Sequence, residues 1–231
     1  MMKIASVEYL TLSDFPGHVA CIVYTVGCNF RCPYCYNVDL LSNKRYQESG
    51  RSGMSENEFF KYLRSNKKML DGVAITGGEP CLNKSLIPFC EKINALGYKV
   101  KLDTNGSNPA VLKELINKGL LEYIAMDLKA PLDKYDTVGY KKDTKGIAET
   151  IQLIKDSGLK HEFRTTMTPA LSLDDFKEIA ELAKGSTLYL QDLLYTANFL
   201  DNTVKDLPAF TEKDKKKIAH TLNSITPTEL R

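Results

Sequence analysis

Three of the chain's six cysteines, Cys28, Cys32 and Cys35, fall within eight residues of one another. A disulfide framework spreads its bridges along a chain, whereas a tight C-x3-C-x2-C cluster in a reducing compartment binds metal or does redox chemistry. Closely spaced thiolates favour an iron–sulfur cluster or zinc. The number three constrains most. A cubane has four irons, so three thiolates leave one iron open to a substrate or cosubstrate, the logic that separates catalytic from structural zinc sites. Two plainer readings compete. Structural zinc needs four protein ligands, yet His18, His161 and His220 are remote in sequence and only Cys81 stands in reserve. A thioredoxin-like pair at Cys32 and Cys35 would leave Cys28 without a role.

The cluster follows Val19–Val26, an apolar, β-branched run suited to a parallel strand buried on both faces. Strands are then expected at 72–76, 98–102, 123–128, 161–167 and 188–191, alternating with helices. Capping boxes mark three helix starts: Ser55 with Glu58, Ser172 with Asp175, and Thr211 with Asp214. Asn108 is expected to cap a helix with Pro109 at its first position, and Ile218, Leu222 and Ile225 to face inward on the last one. The polar stretch Ser42–Gly53 reads as a loop. Six strands alternating with helices imply parallel pairing through right-handed crossovers, in an open doubly wound sheet or a partial (β/α)6 TIM-like barrel. The suspicious polar residues all sit just after strands, where ligands bind in both architectures.

Gly27-Cys28-Asn29-Phe30-Arg31-Cys32-Pro33-Tyr34-Cys35, a C-x3-C-x-aromatic-C motif after the first strand, resembles the signature of the radical S-adenosylmethionine (SAM) superfamily. The resemblance implies the barrel. It also implies a [4Fe–4S] cluster on Cys28, Cys32 and Cys35, with the amino and carboxylate groups of SAM on the fourth iron. Reductive cleavage of SAM would then give methionine and a 5′-deoxyadenosyl radical that abstracts hydrogen. Tyr34 matches the aromatic residue beside cluster and adenine. Thr76-Gly77-Gly78-Glu79-Pro80 matches the motif that contacts the SAM amino group. Physically, its glycines permit close backbone approach and Glu79 offers a carboxylate to an ammonium.

Asp103-Thr104-Asn105-Gly106 and Asp127-Leu128-Lys129 resemble the glycyl-radical-enzyme activating branch, as does the P-G turn at Pro16-Gly17. That resemblance puts Asp103 and Asn105 at the SAM site, Asp127 and Lys129 near its ribose and carboxylate, and Arg164 as a basic residue nearby, with an interior ion pair the equal alternative for Arg164 and Gln191 a lesser candidate. It also makes Asp103 and Asp127, with neighbouring carbonyls, capable of holding a monovalent cation, and all-oxygen coordination suits a hard cation. Activators commonly read C-H-N where this chain has Cys35-Tyr36-Asn37. The segment QDLLYTANFLD, from Gln191, matches no pattern, and Cys81 has no family role. Cys21, within a strand, and Cys90, on an apolar helix face, read as buried small hydrophobes.

Composition narrows the classes further. Apolar residues are 43% and charged ones 26%, as in a globular protein with a sizeable core. A net charge of +2 gives no footprint for nucleic acid. No apolar run approaches the ~20 residues of a membrane helix, and the N-terminus lacks a signal-peptide core. The expectation is a single cytoplasmic domain spanning 1–231. By resemblance it generates a glycyl radical on a partner such as anaerobic ribonucleotide reductase, with flavodoxin or ferredoxin as reductant. The alternatives are a radical SAM enzyme for a small molecule or peptide, and a non-enzymatic zinc or redox module.

Overall fold

The structure, a computed structural model, describes residues 1–196 and 198–231. The chain forms two compact units. The first comprises 1–29, 39–104 and 108–124, the second 30–38, 105–107 and 125–231.

In the first unit, β1 (Ile4–Thr11) runs antiparallel to β2 (Ala20–Thr25). After β2 come α1 (Asn43–Glu48), α2 (Glu56–Ser65), β3 (Gly72–Gly77), α3 (Leu86–Ala95), β4 (Lys99–Thr104) and α4 (Pro109–Asn117). Strands β2, β3 and β4 are parallel and in register, Ala20 against Gly72 and Gly72 against Lys99. The β2 and β3 residues are almost all buried, as expected of a sheet covered on both faces. Phe59, Phe60 and Phe89 of α2 and α3 form an aromatic cluster, with Phe59 stacked on Phe89 at 5.5 Å between centroids.

Strand β5 (Tyr123–Asp127) begins in the first unit and ends in the second. The second unit continues with α5 (Lys145–Asp156), β6 (Lys160–Thr166), α6 (Leu173–Ala183), β7 (Leu188–Gln191), α7 (Glu212–Leu222) and β8 (Thr228–Leu230). Phe163 pairs with Leu188 and Leu188 with Thr228 in parallel register. Phe30 packs on Tyr140 and Tyr135, at 4.7 and 5.9 Å between centroids, which anchors the start of the cysteine segment in this unit's core.

All six expected strands are present, with ends shifted by a residue or two; β2, β3 and β4 pair in parallel, as do β6 and β7, and the protein is α/β with intervening helices. The three capping boxes form as expected, each with side-chain and backbone bonds in both directions. Four details differ. The 42–53 loop contains α1, capped by Ser42 and tied down by the Tyr46 hydroxyl donating to the Ala5 carbonyl at 2.6 Å. Asn108 sits at the N-cap of α4 without capping it; its amide donates instead to the Cys81 carbonyl at 2.8 Å. Helix α7 stops at Leu222, so Ile225 is a half-buried residue beyond its end. Strands β1 and β8 add to the expected six.

Candidate functional site

The predicted site residues divide between the units. In the first, the backbone after β2 is pinned at Gly27 and Cys28, whose N–H groups donate to the carbonyls of Leu40 and Leu41 at 2.7 and 3.2 Å. The Gly77-Gly78-Glu79 turn is bonded to that same stretch. Gly78 N–H donates to Thr25 and Glu79 N–H to Gly27, at 2.9 and 2.7 Å. Only glycine fits here: a Cβ on Gly78 would stand 2.2 Å from the Gly27 oxygen, and Gly77 has φ +118°. The glycines thus let the turn lie against the strand end that leads into Cys28.

Glu79 is 1% exposed. Its Oε1 accepts from the Cys81 N–H at 2.9 Å and the Thr104 hydroxyl at 2.8 Å, so it caps the short turn begun by Pro80. The Cys81 sulfur lies 3.6 Å from the Thr104 hydroxyl, and burial, reinforced by Glu79, holds its thiol well above the usual range. Asp103 takes the ammonium of Lys101 at 2.5 Å, two residues earlier on the same strand. Lys101 was not among the sequence-predicted residues. A charge at the same strand parity as Asp103 was the available signal.

In the second unit, the cysteine segment is fixed by main-chain bonds: Arg31 N–H to Val138, Leu200 N–H to Cys35 and Asp201 N–H to Pro33, all at 2.9 Å. Cys32 and Tyr34 are buried and Cys35 is half-buried. Burial pushes the Tyr34 phenol well above its ordinary range, with Cys32 adding to the shift. Its buried hydroxyl has no hydrogen-bond partner among the described residues. Asp127 at the end of β5 is gripped from two sides, by Arg164 Nε at 2.9 Å and Lys129 Nζ at 3.3 Å. Burial would raise its carboxyl, but these two cations outweigh that and hold it at about 2. Burial would likewise lower Lys129, yet Asp127, Tyr34 and Cys32 keep it well above the usual range. Asn105, 5% exposed, accepts from the Ser107 N–H at 3.0 Å in a turn after β4.

Tyr36 is 57% exposed and Gln191 closes β7 opposite Thr166. Tyr34 and Lys129 line one wall of a cavity of about 470 Å³, whose other walls include Thr168, Leu171 and Val204. Cys21 and Cys90 are fully buried, their thiols pushed up to about 12 by burial, which suits apolar packing. All six cysteines are thiols, not disulfides. No described helix is long and apolar enough to cross a membrane.

The sequence profile of the radical SAM superfamily matches residues 22–183. The chain belongs to this superfamily. Membership brings with it a [4Fe–4S] cluster and SAM as cofactors. A Methanocaldococcus jannaschii protein provisionally named a glycyl-radical enzyme activating enzyme is 31% identical over 223 residues, covering 93% of this chain and 89% of its own. A GTP 3′,8-cyclase of Helicobacter pylori is 29% identical over 185 residues, covering 78% of this chain and 54% of its own. Among solved structures, QueE from Escherichia coli superimposes on this radical SAM protein with a TM-score of 0.60 at 14% identity, covering 100% of this chain and 93% of that one. That likeness concerns the fold.

Proposed function

We propose that this radical SAM enzyme makes a glycyl radical on a partner enzyme, of the anaerobic ribonucleotide reductase kind. The observation that carries the proposal is the near full-length match to a relative provisionally named a glycyl-radical enzyme activating enzyme, 93% of this chain at 31% identity. The cyclase match spans only 54% of that relative and weighs less.

Cys28, Cys32 and Cys35 would hold the cluster. Their spacing supports this, because eight residues of chain hold all three thiols within easy reach of a small inorganic core. The residues also suit SAM. Tyr34 offers a buried hydroxyl with no hydrogen-bond partner among the described residues, and Glu79, Asp103 and Asp127 would turn carboxylates to an ammonium and a ribose. When bound, cluster and SAM supply the radical chemistry, one electron cleaving SAM to a 5′-deoxyadenosyl radical that takes a hydrogen atom.

The chain's own contribution is orientation. The Gly77-Gly78 turn fixes the approach to Cys28 through two main-chain bonds. Three more hold the Arg31–Cys35 stretch, so little reorganisation accompanies binding. Arg164 and Lys129 hold Asp127 as a carboxylate at neutral pH, and Lys129 remains charged. Flavodoxin or ferredoxin would supply the electron.

The test is isotopic. A partner enzyme deuterated at glycine should pass deuterium into 5′-deoxyadenosine and acquire a glycyl electron-paramagnetic signal. Absence of both with every glycyl-radical enzyme of the source organism, alongside turnover of a small molecule, would replace this reading with a small-molecule one.

A further inference from the structure

Lys101 is a lysine inside the first unit that the proposed chemistry does not use. Its side chain is 3% exposed, the Asp103 side chain 15%, and the ammonium stands 2.5 Å from the Asp103 carboxylate. The Tyr123 ring lies 5.9 Å from the same ammonium. Lysines are almost never buried to this degree without a partner, because removing the charge from water is costly. Here the partner is the residue expected to face SAM.

The resemblance to the glycyl-radical-enzyme activating branch gives Asp103 and Asp127 a monovalent cation. These residues do not fit one. The Asp103 charge is answered within its own unit by Lys101. In the second unit, Asp127 has Arg164 on Oδ1 and Lys129 on Oδ2. At each carboxylate, taken by itself, a cationic side chain already stands where a metal cation would bind, and like charges at hydrogen-bond range repel away from bulk water.

We infer that Lys101 supplies the positive charge that Asp103 needs, so that this enzyme works without a bound sodium or potassium ion. Lys101 is a positioning residue: it acts through Asp103, fixing where its carboxylate stands. The inference rests on the radical SAM reading of the site but not on the glycyl partner, because SAM cleavage is measured without one.

The test uses the reconstituted holoenzyme in sodium, potassium or tetramethylammonium chloride at equal ionic strength, reduced photochemically with a deazaflavin so that no alkali metal enters with the reductant. Wild-type 5′-deoxyadenosine formation should differ by less than about twofold among the salts, the size of ordinary ionic effects. The ²³Na line width should show no broadening that potassium reverses. Lys101→Met should lose most cleavage in tetramethylammonium and recover it in potassium, which a merely structural lysine would not do. Saturable stimulation of the wild type by potassium or sodium, or potassium-reversible ²³Na broadening, would overturn the inference. So would a folded Lys101→Met enzyme that runs at the wild-type rate in tetramethylammonium. Should that variant not fold, or should cleavage fail in every salt, the wild-type ²³Na titration decides alone. Failure of cleavage in every salt would count against the SAM reading of the site.

Discussion

Single residues carry most of what the sequence discloses about the site. Cys28, Cys32, Cys35, Gly78 and Glu79 stand out in the sequence because the roles proposed for them depend on identity and spacing, not on distant packing. Gly78 illustrates this. A side chain there meets a main-chain oxygen that has nowhere to go, so Gly78→Ala should destabilise the protein by about 1–3 kcal/mol and reduce SAM cleavage, as read by thermal melting and 5′-deoxyadenosine yield. Lys101 shares strand parity with Asp103, but pattern alone sends strand lysines to solvent, and it is the tertiary structure that shows this one turned inward onto Asp103. Asp127 sets a pH dependence with a definite sign. Its carboxyl sits at about 2, below the ordinary value near 3.9, so its contribution is fully present above pH ~4 and is lost as pH falls through 2. The loss is on the order of 2 kcal/mol. Urea midpoints of the cluster-free protein from pH 4.5 to 2.5 should fall less steeply for Asp127→Asn than for wild type; parallel slopes would contradict the pairing with Arg164 and Lys129.

At the scale of elements, what was legible is what local chemistry determines. The three capping boxes announce α2, α6 and α7, since a side-chain acceptor three residues from a carboxylate satisfies exposed N–H groups wherever it occurs. Buried strands β2 and β3 announce themselves as apolar runs. Strand β1 does not. Its partly exposed face and two register shifts against β2 break the two-residue alternation. Strand β8 is three residues long, too short for any period to register. Helix α1 depends on Tyr46 reaching Ala5, a contact 41 residues away in sequence. Strand β8 also shows how a weak element is fastened: Arg231 donates to both oxygens of buried Glu162, at 3.1 and 3.0 Å, and lies 3.3 Å from the Tyr189 ring centroid. Its guanidinium is partly exposed, so Arg231→Ala should cost about 1–2 kcal/mol, and hydrogen exchange should show β8 opening more than β6. Unchanged protection of β8 would remove this fastening from the account.

For the whole molecule, the superfamily match ends at residue 183, and the chain beyond it holds β7, α7 and β8. Sequence reading was thinnest there too. The QDLLYTANFLD stretch matched no motif; Ala197 within it lies outside the described residues, and the Tyr195 hydroxyl is buried without a hydrogen-bond partner among them. The residues proposed to carry the chemistry are Cys28, Glu79 and Asp103 in the first unit and Cys32, Cys35, Asp127 and Lys129 in the second, and the chain passes from Cys28 to Cys32 through three residues. The account therefore stands on those three thiols acting as one ligand set. The most direct measurement is 5′-deoxyadenosine released per cluster when anaerobically reconstituted protein is reduced in the presence of SAM. Wild type and Cys90→Ala should release it, and Cys28→Ala, Cys32→Ala and Cys35→Ala should each release none. Undiminished release from any of those three variants, or none from a fully loaded wild type, would contradict the account.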